Sequence, residues 1–151
     1  MKVIPADALD LPLAFAIRRA VFVNEQKVPE AEEFDEYDAQ ALHLLAWAMP
    51  DQAVGTARLR LLDGWAKFER IAVLAAWRGQ GVGQALVLAL LEQARAQGYR
   101  RFRLNAQCRA EGFYGHFGFT AVGPEFLDAG IPHREMRLED PEMRLEDPPA
   151  G

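Results

Sequence analysis

The stretch of this 151-residue chain best suited to hold a charged ligand is Arg78-Gly79-Gln80-Gly81-Val82-Gly83-Gln84. It lies between an apolar run and an Ala/Leu-rich one, where a strand would hand over to a helix. The free N–H groups of a helix's first turn and the helix dipole attract anions there, and glycines let phosphate oxygens approach the backbone. A plain strand-to-helix turn also uses such glycines, so the motif alone leaves both readings open. Read as GxGxxG from Gly79 or Gly81, the third glycine is replaced by Gln84 or Leu86, and no Gly-Lys-Ser/Thr follows for a P-loop. A dinucleotide fold would also place an acidic ribose ligand about 20 residues on, where Tyr99 to Arg103 supply only aromatic and basic side chains.

Other reactive types are scattered. Imidazole as a side-chain type is suited to general-base work near neutral pH, which makes His133 a candidate base, although a hydrogen-bonded loop histidine is an equal reading. The segment Asn24 to Gln40 is rich in acids, among them Glu25, Asp35 and Asp38. These would draw a cationic ligand to a cleft or form a solvated face, with Arg18 and Arg19 as nearby partners. Cys108 is the single cysteine, which excludes an intrachain disulfide, and it has no histidine beside it to activate it. No His/Cys/Asp spacing resembles a metal-ligand set.

Around these residues the chain reads as one domain, half of it hydrophobic. A net charge of −5 argues against a nucleic-acid or membrane-surface binder. No export signal or spanning segment is visible, and cytoplasmic residence is expected. Apolar spacing predicts a first helix over Leu11 to Val23 and strands over Leu42 to Met49, Ala53 to Leu62 and Trp65 to Leu74. A helix follows over Gly83 to Gln97, with Gly98 as its stop, then a strand over Tyr99 to Ala106 and a short helix over Ala110 to Phe117. A strand begins at Phe119, and Met136 to Leu138 could complete a last one. The order implies an α/β (α+β) fold with a mixed sheet and packed helices. The domain is placed at 1–138. EMRLEDP occurs at Glu135 to Pro141 and again at Glu142 to Pro148, so 139–151 is expected to be a redundant, flexible tail.

Two blocks carry a resemblance. Arg78-x-x-Gly81-x-Gly83 is similar to the pyrophosphate loop of the GNAT superfamily of N-acetyltransferases, and Ala110-x-x-Phe113-Tyr114-x-x-x-Gly118-Phe119 resembles its A-x-x-F-Y-x-x-x-G-F signature. The segments Arg19 to His43 and Phe126 to Met136 resemble the ElaA/YjcF-like subgroup. The resemblance implies a mostly antiparallel sheet splayed to hold acetyl-CoA. Ile71, Ala72 and Val73 would lie beside the pantetheine arm, the loop from Arg78 to Gln84 would hold the pyrophosphate, and Gln107 would stand where relatives carry an asparagine. Val73 N–H would face the developing oxyanion, and Tyr114 would protonate the leaving thiolate. An amine acceptor needs a base or relaying water, since alkylamines have pKa values near 10.4. Glu69 is first choice, on one face with Lys67, Ile71 and Val73 by alternation, although a salt bridge with Lys67 or Arg70 is an equal reading. His133 is the second. The expected activity is direct acetyl transfer to a small-molecule or peptide amine, with Glu25, Asp35 and Asp38 binding it. A non-catalytic acyl-CoA-binding module is the alternative, and the oligomeric state, a homodimer included, is open.

Overall fold

The computed structural model describes residues 1–141. Seven strands form one sheet in the order β1-β2-β3-β4-β5-β7-β6: β1 Lys2–Pro5, β2 Leu42–Ala48, β3 Gln52–Leu62, β4 Trp65–Val73, β5 Arg101–Gln107, β6 Thr120–Asp128 and β7 Ile131–Glu139. Every pairing is antiparallel except β4 with β5. The helices are α1 Leu11–Arg18, α2 Glu30–Glu33, α3 Val82–Ala96 and α4 Glu111–Gly115. No helix among the described residues is long and apolar enough to cross a membrane.

The main core lies under α3. Leu86, Leu90, Ala94 and their neighbours Val82, Val87 and Leu91 recur at helical spacing and bury one stripe against Val54, Ala57, Leu59, Phe68, Phe102 and Leu104 of the sheet. Gly98, at φ 86°, ends the helix, as expected of a left-handed stop. On the opposite face α1 lays Ala14 and Ile17 over Leu45 and Ala72.

Some boundaries differ from the sequence reading. β1 was not anticipated, because four residues carry too short a period to read. The first helix ends at Arg18 and continues to Glu25 as a π-helical stretch, in which Gln26 N–H reaches back five residues to the Val21 carbonyl. A 3₁₀ turn over Cys108–Ala110 precedes α4, which ends two residues before Phe117. β7 runs one residue past the expected 1–138 boundary. Asp140 N–H then bonds the Arg100 carbonyl, and its carboxylate grips Arg95 with two 2.8 Å bonds. The second EMRLEDP copy lies outside the described residues.

The larger departure is in β4. Thr56 faces Ala72 and Arg58 faces Glu69, so Ala57 opposes both Arg70 and Ile71. This is a β-bulge, and Arg70 adopts φ 54° at it. The extra residue exchanges the faces of the strand. Lys67 and Glu69 point away from α3, whereas Ile71 and Val73 pack toward the α3 core and Ala72 toward α1. The shared face expected for Glu69, Ile71 and Val73 is therefore incorrect, since strict alternation stops at Arg70. β4 and β5 pair only from Ala66–Phe68 to Phe102–Leu104; beyond that they separate.

At the separation Gly55 lets α3 approach closely: an added Cβ would sit 2.9 Å from Val82 Cγ1 and 3.2 Å from the Ala72 carbonyl oxygen. Gly55→Val is expected to cost about 1–3 kcal/mol by overpacking, read from urea unfolding.

Candidate active site

The separation of β4 from β5 opens a cleft of about 590 Å³. Its walls include Ile71, Ala72 and Val73 of β4, Asn105 and Gln107 of β5, Phe22 and Gln26 of the π-helical stretch and its exit, and Phe113 and Tyr114 of α4. Because β5 leaves after Phe68, the β5-facing backbone groups of β4 from Glu69 onward have no strand beside them. An extended ligand can occupy that edge as an added strand.

The glycine loop stands at one end of this edge. Gly79 and Gly81 have φ of 77° and 84°, and nothing lies within 4 Å of a Cβ added at either. This leaves an open cradle at the start of α3, whose first-turn N–H groups, those of Val82, Gly83 and Gln84, lack intrahelical partners. Val82 buries its side chain in the core, so only its backbone can face a ligand. Gly83 is where α3, α4 and β4 meet, with Phe113 Cζ 3.4 Å and Val73 Cγ2 3.9 Å from an added Cβ. Gln80 folds back on the Ala76 carbonyl at 3.2 Å. Arg78 braces the loop: Nε donates to the Val73 carbonyl at 3.1 Å, and the guanidinium grips Glu25 at 2.8 and 2.9 Å. The cradle thus fits a pyrophosphate through backbone N–H groups more than through the arginine head.

Tyr114 packs among Phe113 and Phe119 in edge-to-face contacts. Burial pushes its hydroxyl up to about 12, so it stays protonated at neutral pH. His133 lies across the cleft on β7, opposite Gln107 of β5, with its ring stacked on Phe126. Its Nδ1 is 2.6 Å from the Ile131 carbonyl. A carbonyl only accepts, so Nδ1 carries the proton and the neutral ring keeps an unprotonated Nε2. The Gln107 amide donates to Gln26 Oε1 at 2.9 Å and so joins β5 to the π-helical wall.

Glu69 also lines the cleft, but its carboxylate is fully engaged. Arg60 Nε donates to it at 2.6 Å, Arg58 Nη2 at 3.0 Å, and Lys67 Nζ lies 3.3 Å away. Burial alone would raise its pKa, yet the Arg60 hydrogen bond and the charges of Arg58 and Lys67 hold it at about 2. A carboxylate so weakly basic is a poor proton acceptor at neutral pH, which favours the ion-pair reading of Glu69 over the base.

The acidic segment is likewise spent on ion pairs, contrary to the expected substrate role. Arg18 and Arg58 are almost wholly buried, at 0% and 1% exposure. Arg18 bonds Glu33 at 2.8 Å and Asp38 at 2.6 Å; Arg58 bonds Asp35 at 2.6 Å and Asp38 at 2.9 Å. Arg70 adds a 3.1 Å bond to Asp35, and Glu25 belongs to Arg78. Of the acids in this segment Glu32 and Glu33, not Glu25, Asp35 or Asp38, reach the cleft wall. The sequence reading also missed Arg58, one of two arginines in a run of partly alternating apolar and polar residues, and Gln26 and Asn105, which carried no sign. Cys108 donates to Glu125 at 3.2 Å and stays a thiol, its pKa raised. Among the described residues no group of three His, Cys, Asp or Glu is arranged to hold a metal ion.

A sheet parted at one strand pair, with an anion cradle at the gap and a protonated tyrosine in its wall, has room for an extended, anion-bearing ligand. The family profile of the acetyltransferase (GNAT) domain matches residues 11–140, and this chain belongs to that family. It is 44% identical over 124 residues to the uncharacterized N-acetyltransferase YjcF of Bacillus subtilis, covering 82% of this chain and 88% of YjcF. The crystal structure of Escherichia coli ElaA superposes with a TM-score of 0.83 at 29% identity, covering 92% of this chain and 100% of that one. An Elizabethkingia anophelis GNAT acetyltransferase crystallised with acetyl-CoA shares the fold, with a TM-score of 0.70 at 17% identity over 91% of this chain and 97% of its own.

The ion pairs make stability depend on acid. Burial opposes the charge on Asp38, but hydrogen bonds from Arg18 and Arg58 hold its pKa at about 2, as Glu69's is held. Both lie below unfolded values of roughly 3.9 and 4.3, so their stabilisation is complete above about pH 5 and lost as pH falls toward 2. Glu33 acts oppositely: burial raises its pKa, so its contribution fades as pH rises through the folded value. With two groups against one, urea midpoints should fall between about pH 5 and 2.5. Arg58→Gln should flatten that fall and cost about 3–5 kcal/mol at neutral pH, because acids are left buried without a partner.

Proposed function

We propose that this chain transfers an acetyl group from acetyl-CoA directly to an amine, with Tyr114 as the acid and His133 as the base. The observation that carries this is the unpaired edge of β4 from Glu69 to Val73, running from the glycine cradle to the cleft that Tyr114 and His133 share. The bound thioester supplies the acetyl group and a thiol leaving group with a pKa near 8.5. Gly81 to Gln84 hold the pyrophosphate by backbone N–H groups, and Ile71 to Val73 pair with the extended arm. Val73 N–H donates toward the thioester oxygen as charge builds on it. Nε2 of His133 takes the proton from the acceptor nitrogen, directly or through water, and the Tyr114 hydroxyl returns one to sulfur. Lys67, Arg58 and Arg60 keep Glu69 charged and fixed, which shapes the acceptor wall without proton transfer. The acid and base act on one bound complex, so no covalent enzyme species is needed.

Calorimetric titration with acetyl-CoA, followed by thiol release across an amine panel, tests the reading. Binding with release on at least one amine is expected; binding without release on any amine would instead favour an acyl-CoA-binding module. Tyr114→Phe should lower kcat by roughly 10²–10⁴-fold with acetyl-CoA affinity retained. Because the Tyr114 pKa is pushed up to about 12, the kcat profile should show no loss of the acid form between about pH 7 and 10. His133→Gln should likewise lower kcat by roughly 10²–10⁴-fold with acetyl-CoA affinity retained.

A further inference from the structure

On the sheet face away from α3, four adjacent strands place a cation in one row. Arg60 of β3 stands across from Lys67 of β4, Lys67 across from Arg103 of β5, and Arg103 across from Arg137 of β7. Like charges directly opposite one another on a sheet cost stability. On these four strands three acids share this face and partly neutralise the row: Glu69 pairs with Arg58, Arg60 and Lys67, Glu135 with Arg137, and Glu139 with the neighbouring Arg101, which leaves Arg103 without one. Arg60 also lies over the Tyr37 ring, while Arg101 and Arg137 lie over Trp65. Arg103, in the middle of the row, makes no ion pair among the described residues, and its Nε is buried without a hydrogen-bond partner.

The row lies one pair before Phe68 and Leu104, the last paired residues before β4 and β5 part; Lys67 lines the cleft, and Arg103 is its cross-strand neighbour. His133, the base that would face the acceptor nitrogen, is four residues from Arg137 along β7. At about 3.3 Å per residue the row is roughly 13 Å from it, a gap that the reach of the side chains shortens. We propose that Lys67 and Arg103 form an anion subsite for the acceptor, selecting amines that carry a carboxylate or phosphate roughly 10 Å from the nitrogen. The inference rests on the acetyltransferase reading and names its substrate class. It runs opposite to the cationic recognition that the acidic segment suggested, because those acids are occupied. A bound anion would supply the charge and the acceptor atoms that Arg103 lacks.

Thiol release from acetyl-CoA would be compared within matched pairs: triglycine and triglycine amide, aminohexyl phosphate and aminohexanol. The charged member of at least one pair should have a kcat/KM about tenfold higher or more, and the pair that responds identifies carboxylate or phosphate as the anion. Arg103→Gln should collapse that preference through KM, and Arg103→Lys should keep most of it. Equal turnover within both pairs, or a preference that survives in R103Q, would overturn the subsite. A readout independent of turnover is the arginine Nε NMR signal assigned to Arg103 by its loss in R103Q. Glutarate or inorganic phosphate should shift it, and no shift with either would also count against the proposal. If acetyl-CoA fails to bind, the acetyltransferase reading falls, while the NMR titration still decides the subsite.

Discussion

A strand inside a sheet normally satisfies both of its backbone edges, and β4 does so for only part of its length. The bulge at Arg70 adds a residue opposite Ala57, and just before it β5 makes its last pairing with β4. Most of what is distinctive here follows from that parting. It frees one edge of Glu69 to Val73, turns Ile71 and Val73 toward α3, and opens the space that Tyr114 and His133 enter from different elements. The parting is local. Below it Phe68, Phe102 and Leu104 remain in one core, so the sheet is pried open at one end and clamped at the other.

Something must hold the prised end apart, and the buried arginines do much of this. Taking a guanidinium out of water costs several kcal/mol unless its hydrogen-bonding groups are matched; the acids of one segment match Arg18 and, together with Glu69, both terminal nitrogens of Arg58, whose Nε stays without a partner. The segment from Glu30 to Asp38 is thereby fastened over β3 and β4 as a wall of the cleft. Its acidity is structural currency within the fold rather than an outward field. On the far side of the cleft the charges are unequal, with more cations than acids between β3 and β7.

The sequence made the cofactor side legible and the acceptor side obscure, for physical reasons. The glycine loop is readable because left-handed backbone and a helix start demand particular residues, as at Gly79 and Gly81. α3 is readable because its apolar stripe repeats over fifteen residues. Tyr114 came with the signature around it and lines the cleft. The bulge at Arg70 was invisible, because an arginine gives no hint of positive φ, and missing it put Glu69 on the wrong shared face. The pairing of Glu25 with Arg78 spans 53 residues, and that of Arg58 with Asp35 spans 23. Such long-range matches leave no local pattern, so only the nearby Arg18 and Arg19 could be named as partners for these acids. His133 needed the hairpin of β6 and β7 to bring it opposite Gln107.

An unpaired strand edge is also a thermodynamic handle. A ligand that completes the hydrogen bonding of β4 binds the folded chain and has no counterpart site on the unfolded one. Mass action then ties folding to ligand supply, adding about 2.7 kcal/mol when the free ligand stands at a hundred times its dissociation constant. A ligand seated in the gap would in this way tie the persistence of the chain to its own supply, and its scarcity would be felt first at the parted end of the sheet.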